Sequence, residues 1–302
     1  MSLIKKKIHP NGPEMSHLIA GMMRLNDWNL TITQRIDFIE KCIDLGITTF
    51  DHADIYGAYT NEKLFGEALK ERPDLRDQIE MISKCGICLT TENRAAHKIK
   101  HYDTTPDHIN SSVEKSLQNL QTDYLDLLLI HRPDPLMDAA ELADCLMNLI
   151  SDGKILHIGV SNFTTAQYEL LQSKLDVPLV TNQIEFSLLH LNPIYDGTFD
   201  QAQKLNFSPM IWSPFAGGRI FHEESGVAGR VRHHLEEMHQ KYQADIDQIA
   251  LAWLMTHPSN PLPVLGTGNV DRLKSAVSAT EINLDRQDWF KLLKASRGHD
   301  VA

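Results

Sequence analysis

The chain has 302 residues, of which 42% are hydrophobic and 23% are charged, and this composition is typical of a globular protein with a large core. Its 29 basic and 40 acidic residues give a net charge of −11, which argues against nucleic acid or an anionic membrane as a partner. An anionic small ligand is still compatible with this charge, because binding it needs basic groups at one site only.

The sequence carries no recognisable targeting signal. The opening MSLIKKKIHPNG has lysines but no apolar run behind them, so we expect no signal peptide. No stretch reaches the roughly eighteen apolar residues that a membrane span requires. The 4 cysteines are too few for a disulfide framework in a chain of this length. We therefore expect a cytoplasmic protein with reduced thiols, and a single domain over residues 1–302, since no linker divides the chain.

Short apolar segments alternate with amphipathic ones along the chain. The predicted strands are His17–Gly21, Thr48–Phe50, Ile79–Ser83, Leu125–Ile130, His157–Val160, Leu179–Gln183, Met210–Trp212 and Pro263–Leu265. The first predicted helix is QRIDFIEKCIDLG, capped by Thr33, and the third is PDHINSSVEKSLQNL, preceded by Thr105 with Pro106 at its first position. The other predicted helices are NEKLFGEALKE, MDAAELADCLMNLISDG, TTAQYELLQSK, DQAQKL, DIDQIALAWLMTHP and NVDRLKSAV.

This alternation favours a parallel α/β fold. Strands such as LDLLLI are apolar on both faces, as they are when helices cover both sides of a sheet. An open doubly wound sheet would carry a glycine-rich fingerprint after its first strand, whereas the nearest match, GTGNV, follows the last strand. We therefore predict a closed (β/α)₈ TIM barrel with two additional helices, GRVRHHLEEMHQKYQ and DRQDWFKLLKAS.

Polar residues follow nearly every predicted strand, at the end where a barrel of this kind holds its active site. Asp51 and Tyr56 follow the second strand, Lys84 the third and His131 the fourth. Each residue alone is more often structural, but their joint placement on one rim predicts a reactive site. An ammonium lowers the pKa of a neighbouring tyrosine, a carboxylate keeps that ammonium charged, and a histidine can orient a carbonyl oxygen. Such a set donates a proton to a carbonyl and still needs an electron source.

These four residues resemble the catalytic tetrad of the aldo-keto reductases, which are NADPH-dependent carbonyl reductases on a (β/α)₈ barrel. The resemblance runs from about Met15 to Ala279, and His52 with the SPFAGG loop is similar to a bacterial oxidoreductase branch. The segments that carry it are GITTFDHADIYG, ISKCG, DYLDLLLIHRPDP, GKILHIGVSNF, TNQIEFSLL, WSPFAGGRI and PVLGTGNVDRL.

The resemblance also implies a site for NADP(H) and a small carbonyl substrate. It assigns the nicotinamide to the residues Gly21, Met22, Arg24, Ser161, Asn162, Gln183 and Trp212. It assigns the pyrophosphate to the loop residues Ser213, Phe215, Gly217 and Arg219, and the adenosine 2′-phosphate to Gly266, Thr267 and Arg272. The family often has a Glu-Asn pair where this chain has Ser275 and Ala276, so strict preference for NADPH over NADH stays open.

Two other functions remain open at this point. Lys84 could instead form a Schiff base in a lyase, and the chain could be a cofactor-sensing subunit, because channel β subunits resemble the same family. The spacing of Cys85 and Cys88 is interpreted as coincidence, with a redox brake as the alternative. We expect no metal, and a monomer or a weak homo-oligomer. The physiological substrate is not predicted.

Overall fold

The computed structural model describes residues 5–302. Its strands are, in chain order, β1 (Lys5–Lys7), β2 (Glu14–Ser16), β3 (Ile19–Gly21), β4 (Thr49–Asp51), β5 (Glu80–Cys85), β6 (Ile87–Cys88), β7 (His101–Tyr102), β8 (Leu127–Ile130), β9 (Ile158–Ser161), β10 (Leu179–Glu185), β11 (Met210–Trp212) and β12 (Leu262–Leu265).

Eight of these strands form a closed parallel barrel in the order β3, β4, β5, β8, β9, β10, β11 and β12. The last strand pairs with the first, with Val264 opposite Ile19, which closes the ring. The predicted (β/α)₈ barrel is confirmed. The predicted strand bounds differ by up to two residues, because several strands run further towards their carboxyl ends and carry the polar residues inside the ladder. Lys84, for example, pairs with Leu129 inside the sheet.

In residues 5–302, two antiparallel hairpins lie outside the barrel ladder, and neither was predicted from the sequence. The first pairs β1 with β2, with Lys6 opposite Met15. Met15 and Ile8 are buried and belong to the apolar cluster that contains inward-facing residues of the barrel, such as Leu127 and Val264. The hairpin therefore closes the amino-terminal end of the barrel. The second pairs β6 with β7 and lies in the loop that follows β5.

The helices are α1 (Ile32–Asp44), α2 (Tyr56–Tyr59), α3 (Asn61–Glu71), α4 (Pro106–Leu120), α5 (Ala139–Ser151), α6 (Thr165–Gln172), α7 (Thr198–Leu205), α8 (Arg219–His222), α9 (Gly226–Tyr242), α10 (Ile246–Met255), α11 (Val270–Ser278) and α12 (Arg286–Arg297). The described part of the chain also contains 3₁₀ turns at Leu25–Trp28, Pro73–Gln78, Glu92–Arg94, Asn192–Ile194, Ala216–Gly218 and Ala279–Glu281.

The predicted helix starts are right at α4 and wrong at α1. Thr105 caps α4 and Pro106 opens it, as expected. The first helix begins earlier than predicted, because Thr31 and not Thr33 is its cap. The Thr31 hydroxyl accepts from the Gln34 amide at 3.3 Å, and the Gln34 side chain accepts from the Thr31 amide at 2.9 Å. This reciprocal pair satisfies two amide groups that would otherwise be free.

The two additional helices are α9 and α12, as predicted, and α12 packs beside the barrel helix α10. Trp253 and Trp289 stack with ring centroids 5.0 Å apart. Each indole nitrogen donates to the other residue's carbonyl at 3.0 Å, so the buried Trp253 and the half-buried Trp289 both have their N–H groups satisfied. Of the helices in residues 5–302, none combines the length and the apolar character needed to cross a bilayer.

Candidate active site

The carboxyl ends of β4, β5 and β8 bring the predicted tetrad together at one mouth of the barrel. Asp51 is the last residue of β4, Lys84 lies inside β5, and His131 directly follows β8. Tyr56 returns to the same place because the chain turns over the rim after β4 and starts the short helix α2 there. The expected convergence of these four side chains is present in the structure.

Lys84 is the centre of the cluster. Its side chain is 0% exposed, and its ammonium donates to Asp51 Oδ2 at 2.7 Å, to the His52 carbonyl at 2.9 Å and to Tyr56 Oη at 2.8 Å. An ammonium has three hydrogens, so all of its donors are used. Since the Tyr56 oxygen accepts from Lys84, its own hydrogen is free to point at a third group. The cluster thus presents a hydroxyl proton at the barrel mouth.

Burial and neighbouring charges shift the pKa values of Lys84 and Tyr56 in opposite directions. Burial opposes the ammonium, but the charges of Asp51 and Tyr56 outweigh it, and the pKa of Lys84 is raised. Burial also raises the pKa of the Tyr56 hydroxyl above its ordinary value, although Lys84 pulls it down. The lowering of the tyrosine pKa expected from the sequence is therefore present but is exceeded by burial. Lys84 is charged and Tyr56 is protonated at neutral pH.

His131 faces Tyr56 edge-on, with ring centroids 6.0 Å apart. Burial, followed by the charges of Lys84 and Arg132, lowers the pKa of His131 well below its ordinary value. The imidazole is therefore neutral at neutral pH. Its Nδ1 is buried without a hydrogen-bond partner in residues 5–302. A neutral imidazole has one donor nitrogen, which can hold a carbonyl oxygen near Tyr56.

A second chain of hydrogen bonds runs along the neighbouring strand ends. Trp212 Nε1 donates to Asn162 Oδ1 at 2.9 Å, Asn162 Nδ2 donates to Ser161 Oγ at 2.7 Å, and Ser161 Oγ donates to the Gln183 carbonyl at 3.0 Å. The predicted nicotinamide residues of β9, β10 and β11 are thus neighbours. Their polar groups bond one another, so a bound amide would exchange for some of these contacts.

Gln183 also connects these hydrogen bonds to the tetrad, and this link was not predicted from the sequence. Its Nε2 donates to Asp51 Oδ1 at 2.8 Å across 132 positions of sequence. Asp51 is therefore held at both oxygens, by Gln183 and by Lys84. No local signal could identify this pair, because it depends on the closure of the barrel.

The remaining predicted cofactor residues lie around the same rim with different surroundings. Gly21 and Met22 are buried beside Asp51, with the Met22 amide donating to the Asp51 carbonyl at 2.9 Å. Arg24 is exposed. Arg219 is an exposed ion-pair partner of Glu223 at 2.6 Å, so its guanidinium is engaged already.

The last loops of the barrel leave room for a ligand at the backbone. Side-chain carbons added at Gly217 or Gly266 would meet no atom within 4 Å, so a ligand can approach the chain closely there. Phe215 packs on Phe221 beside this loop, with ring centroids 5.2 Å apart. Ser213 has a positive φ of 52°, and the half-buried Thr267 accepts from the Asn269 amide at 3.2 Å.

The exposed Arg272 lies in the first turn of α11 beside Asp271, and the Asn269 side chain accepts from the amides of both residues. The guanidinium of Arg272 is therefore the group at this helix start that can bind a phosphate. The open glycines, the rim indole of Trp212 and Arg272 fit a dinucleotide.

The comparisons with known proteins agree with this geometry. The model of the Aldo/keto reductase family matches residues 17–297. "Oxidoreductase YdhF" of Escherichia coli (strain K12) is 50% identical over 295 residues, which is 97% of this chain and 98% of that protein. "6-dehydroglucose reductase" of Agrobacterium fabrum is 44% identical over 290 residues, covering 96% of this chain and 97% of that protein.

A solved structure shows the same fold. The crystal structure of an aldo/keto reductase from Klebsiella pneumoniae in complex with NADP and acetate superposes with a TM-score of 0.78 at 22% identity, and covers 96% of this chain and 94% of the other. Fold and site define a barrel oxidoreductase that acts on carbonyl groups. The chain belongs to the aldo-keto reductase family, whose members use a nicotinamide cofactor.

Proposed function

We propose that the protein reduces an aldehyde or ketone to the alcohol, with NADPH as the hydride source and Tyr56 as the proton donor. The observation that carries this proposal is the hydrogen bond from Lys84 to the Tyr56 oxygen at 2.8 Å. It leaves the hydroxyl proton free for a substrate, in a site where burial raises the pKa of Tyr56 and keeps it protonated.

Each tetrad residue has a separate task in this mechanism. The neutral His131 donates to the substrate oxygen and holds it near Tyr56. Tyr56 gives its proton to that oxygen as negative charge develops there, and the adjacent Lys84 ammonium stabilises the resulting phenolate. Asp51 keeps Lys84 charged and in place. The bound cofactor supplies the hydride to the carbonyl carbon.

For the cofactor we infer that NADPH is preferred over NADH. Arg272 is the basic group at the α11 terminus, and its charge is the feature that separates a 2′-phosphate from a hydroxyl. Ser275 and Ala276 add no charge beside it, so we expect a preference and not an absolute requirement.

The two alternative functions, a Schiff-base lyase and a cofactor-sensing subunit, can be distinguished from a reductase by the charge of Lys84 and by the turnover rate. A Schiff-base lyase needs a neutral lysine, whereas the pKa of Lys84 is raised and its three donors are occupied. The geometry therefore disfavours the lyase. A cofactor-sensing subunit would keep the same tetrad, bind the cofactor and turn over little. Steady-state turnover by the unaltered protein separates it from a reductase.

The central test is Tyr56→Phe, which removes the hydroxyl and keeps the ring. We expect turnover to fall by at least about 100-fold, the range for loss of a general acid, while affinity for NADPH, measured by fluorescence titration, changes less than about twofold. Tyr59→Phe is the matched control, because Tyr59 lies in the same turn but bonds the Leu89 amide at 2.8 Å. Near-normal turnover in Tyr56→Phe would exclude the assigned proton donor.

The cofactor inference has its own test in Arg272→Leu. We expect the Kd for NADPH to rise at least tenfold, since a hydrogen bond to a charged group contributes about 1.5–3 kcal/mol, and the Kd for NADH to stay unchanged. Arg286→Leu is the control, because Arg286 is also an exposed arginine in the first turn of a helix. Equal weakening of both cofactors would show that Arg272 does not read the 2′-phosphate.

The substrate is approached through a panel of carbonyl compounds. The name of the Agrobacterium fabrum relative makes the hydroxylated aldehyde 6-dehydroglucose the first compound to compare with simple aldehydes. We propose a hydroxylated aldehyde as the preferred class. A kcat/KM for 6-dehydroglucose below that of an unsubstituted aliphatic aldehyde would contradict this choice.

A further inference from the structure

A cluster of metal-ligating side chains lies outside the proposed active site, between the loop after β5 and the first turn of α4. Cys88, Asp103 and His108 place their ligand atoms within 4.8 Å of one another. His108 Nδ1 lies 4.0 Å from the Cys88 sulfur and 3.9 Å from Asp103 Oδ2. None of the three has a role in the proposed reduction.

The backbone fixes these residues before any ligand arrives. Cys88 is paired with His101 in the β6–β7 hairpin, and the Asp103 amide donates to the Gly86 carbonyl at 3.1 Å. His108 lies in the first turn of α4, three residues after its cap, Thr105. A ligand therefore meets a hairpin and a helix terminus that are already held together.

Asp103 and His108 also make hydrogen bonds to residues outside the cluster. Asp103 Oδ1 accepts from the Thr105 hydroxyl at 2.7 Å and from its amide at 3.0 Å, which leaves Oδ2 turned to His108. The other ring nitrogen of His108, Nε2, lies 3.4 Å from the Ser112 hydroxyl and 3.8 Å from the Cys88 sulfur. Binding of an ion through Nδ1 would turn the ring so that Nε2 donates to Ser112, and such a bond fixes the tautomer of a metal-bound imidazole.

The distances suit a small tetrahedral ion. Zinc binds sulfur at about 2.3 Å, nitrogen at about 2.0–2.1 Å and carboxylate oxygen at about 2.0–2.2 Å, which sets about 3.3–3.6 Å between neighbouring ligand atoms. The two separations that involve His108, 4.0 Å and 3.9 Å, close to these values with shifts of a few tenths of an ångström. The third pair, Cys88 and Asp103, lies within 4.8 Å and closes with a shift of about 1.2 Å or less. A set of one sulfur, one nitrogen and one oxygen favours zinc over magnesium or calcium, which prefer oxygen alone.

The cluster is reached from a cavity on its His108 side. His108 lines this cavity of about 690 Å³ together with acidic and basic side chains, among them Asp54, Glu62, Arg94 and Lys115. An ion can therefore reach His108 from solvent.

We propose that Cys88, Asp103 and His108 bind one divalent ion of the zinc class, with water as the fourth ligand. The ion takes the place of the Cys88 thiol proton, which passes to solvent. The bound ion links the β6–β7 hairpin to α4. Its ligand Cys88 is four residues after Lys84 in the sequence. The site is separate from the proposed tetrad and does not depend on the proposed reduction.

The test titrates the chelator-treated full chain with Co²⁺ as a spectroscopic probe and then displaces it with Zn²⁺. We expect a thiolate-to-cobalt absorption band that saturates at one ion per chain and disappears when Zn²⁺ is added. Cys88→Ser removes the band, and Asp103→Asn and His108→Phe each weaken Co²⁺ binding at least tenfold. Tyr56→Phe binds Co²⁺ like the unaltered protein, even if it also loses turnover.

Two control variants separate this cluster from other thiols and imidazoles. Cys145→Ser removes a neighbouring thiol that contacts the Pro106 carbonyl instead, and His101→Gln removes an exposed imidazole. Both should bind Co²⁺ normally. Absence of a saturable thiolate band in the unaltered protein overturns the proposal, as does a band that survives in Cys88→Ser or that disappears in Cys145→Ser.

Discussion

Asp51→Asn tests how the barrel mouth holds a buried charge. The substitution keeps the side-chain shape but removes the negative charge 2.7 Å from the Lys84 ammonium, in a pair whose side chains are 2% and 0% exposed. Lys84 keeps its bonds to the His52 carbonyl and Tyr56. An amide has one acceptor oxygen, so the change removes the charge and also one of the two hydrogen bonds that Asp51 accepts from Lys84 and Gln183. We expect a large fall in the free energy of unfolding at neutral pH.

The magnitude follows from the burial of the pair. Removing one partner of a buried ion pair costs about 3–5 kcal/mol, because the other charge is left uncompensated, and 3 kcal/mol is more than about a hundredfold in the folded-to-unfolded ratio. Removing both charges in Asp51→Asn/Lys84→Met avoids that penalty. We expect the double variant to be more stable than either single variant by at least about 2 kcal/mol.

The pKa of Lys84 gives the sign of the pH dependence. Its pKa is raised in the folded protein, so the ammonium contributes stability that is fully present below the ordinary lysine pKa and is lost as the pH rises through the folded value. Asp51→Asn removes the largest attraction that offsets burial, so the pKa of Lys84 falls in the variant. The unfolded chain then keeps the lysine proton to higher pH than the folded chain, and the stability of the variant should rise with pH towards the ordinary lysine pKa, opposite in sign to the unaltered protein.

The assay is urea unfolding followed by circular dichroism, with an exposed ion pair as the control. Lys41 and Asp37 are also 2.7 Å apart, but their side chains are 49% and 57% exposed, and such pairs contribute about 0.3–0.5 kcal/mol. Asp37→Asn should change stability by no more than that. If Asp51→Asn costs no more than Asp37→Asn, or if the two buried substitutions simply add, the assigned charge compensation is refuted.

Two further predictions concern the packing behind the site. Burial, with a smaller contribution from Lys84, lowers the pKa of His52 to about 3. Below about pH 6.5 the unfolded chain therefore takes up a proton that the folded chain does not. The free energy of unfolding then decreases by about 1.4 kcal/mol for each unit by which the pH is lowered. His52→Leu should remove that slope, so its loss of stability between pH 7 and pH 5 in urea unfolding should be about 2 kcal/mol smaller than in the unaltered protein; an unchanged loss would contradict the assignment. A Cβ at Gly66 would lie 1.9 Å from the Asn119 carbonyl oxygen where α3 meets α4, so Gly66→Ala should cost about 2–3 kcal/mol in the same assay. Gly266→Ala, whose Cβ meets nothing within 4 Å, should be near neutral for stability, and equal costs at the two glycines would show that the contact is not responsible.

The architecture and the convergence of the tetrad could be predicted from the amino-acid sequence. Hydrophobic periodicity is a local property of a few neighbouring residues, so the alternation of strands and helices could be predicted without knowing the contacts. Parallel strands of a closed barrel all end on one face, so Asp51, Lys84 and His131 could be assigned to one rim from their positions after successive strands.

Several features depended on contacts that no local pattern specifies. The β1–β2 hairpin is short and its role depends on the barrel end that Ile8 and Met15 fill. The bond from Gln183 to Asp51 joins residues 132 positions apart. The Gln183–Asp51 pair could not be identified from spacing, because only the closed ring brings its residues together. The two hairpin strands are close in sequence, but the sequence does not show which apolar surface they cover.

Burial was the other property that tertiary structure alone decided. From the sequence, Lys84 is expected to lower the pKa of Tyr56, but the packing around the hydroxyl reverses the net direction. The proximity of Cys88, Asp103 and His108 also depends on the folded chain, because a hairpin packed on a helix brings these common residue types together. Residue types and strand order could thus be taken from the sequence. Solvent exclusion and side-chain proximity could not, because each depends on contacts among residues that are distant in sequence.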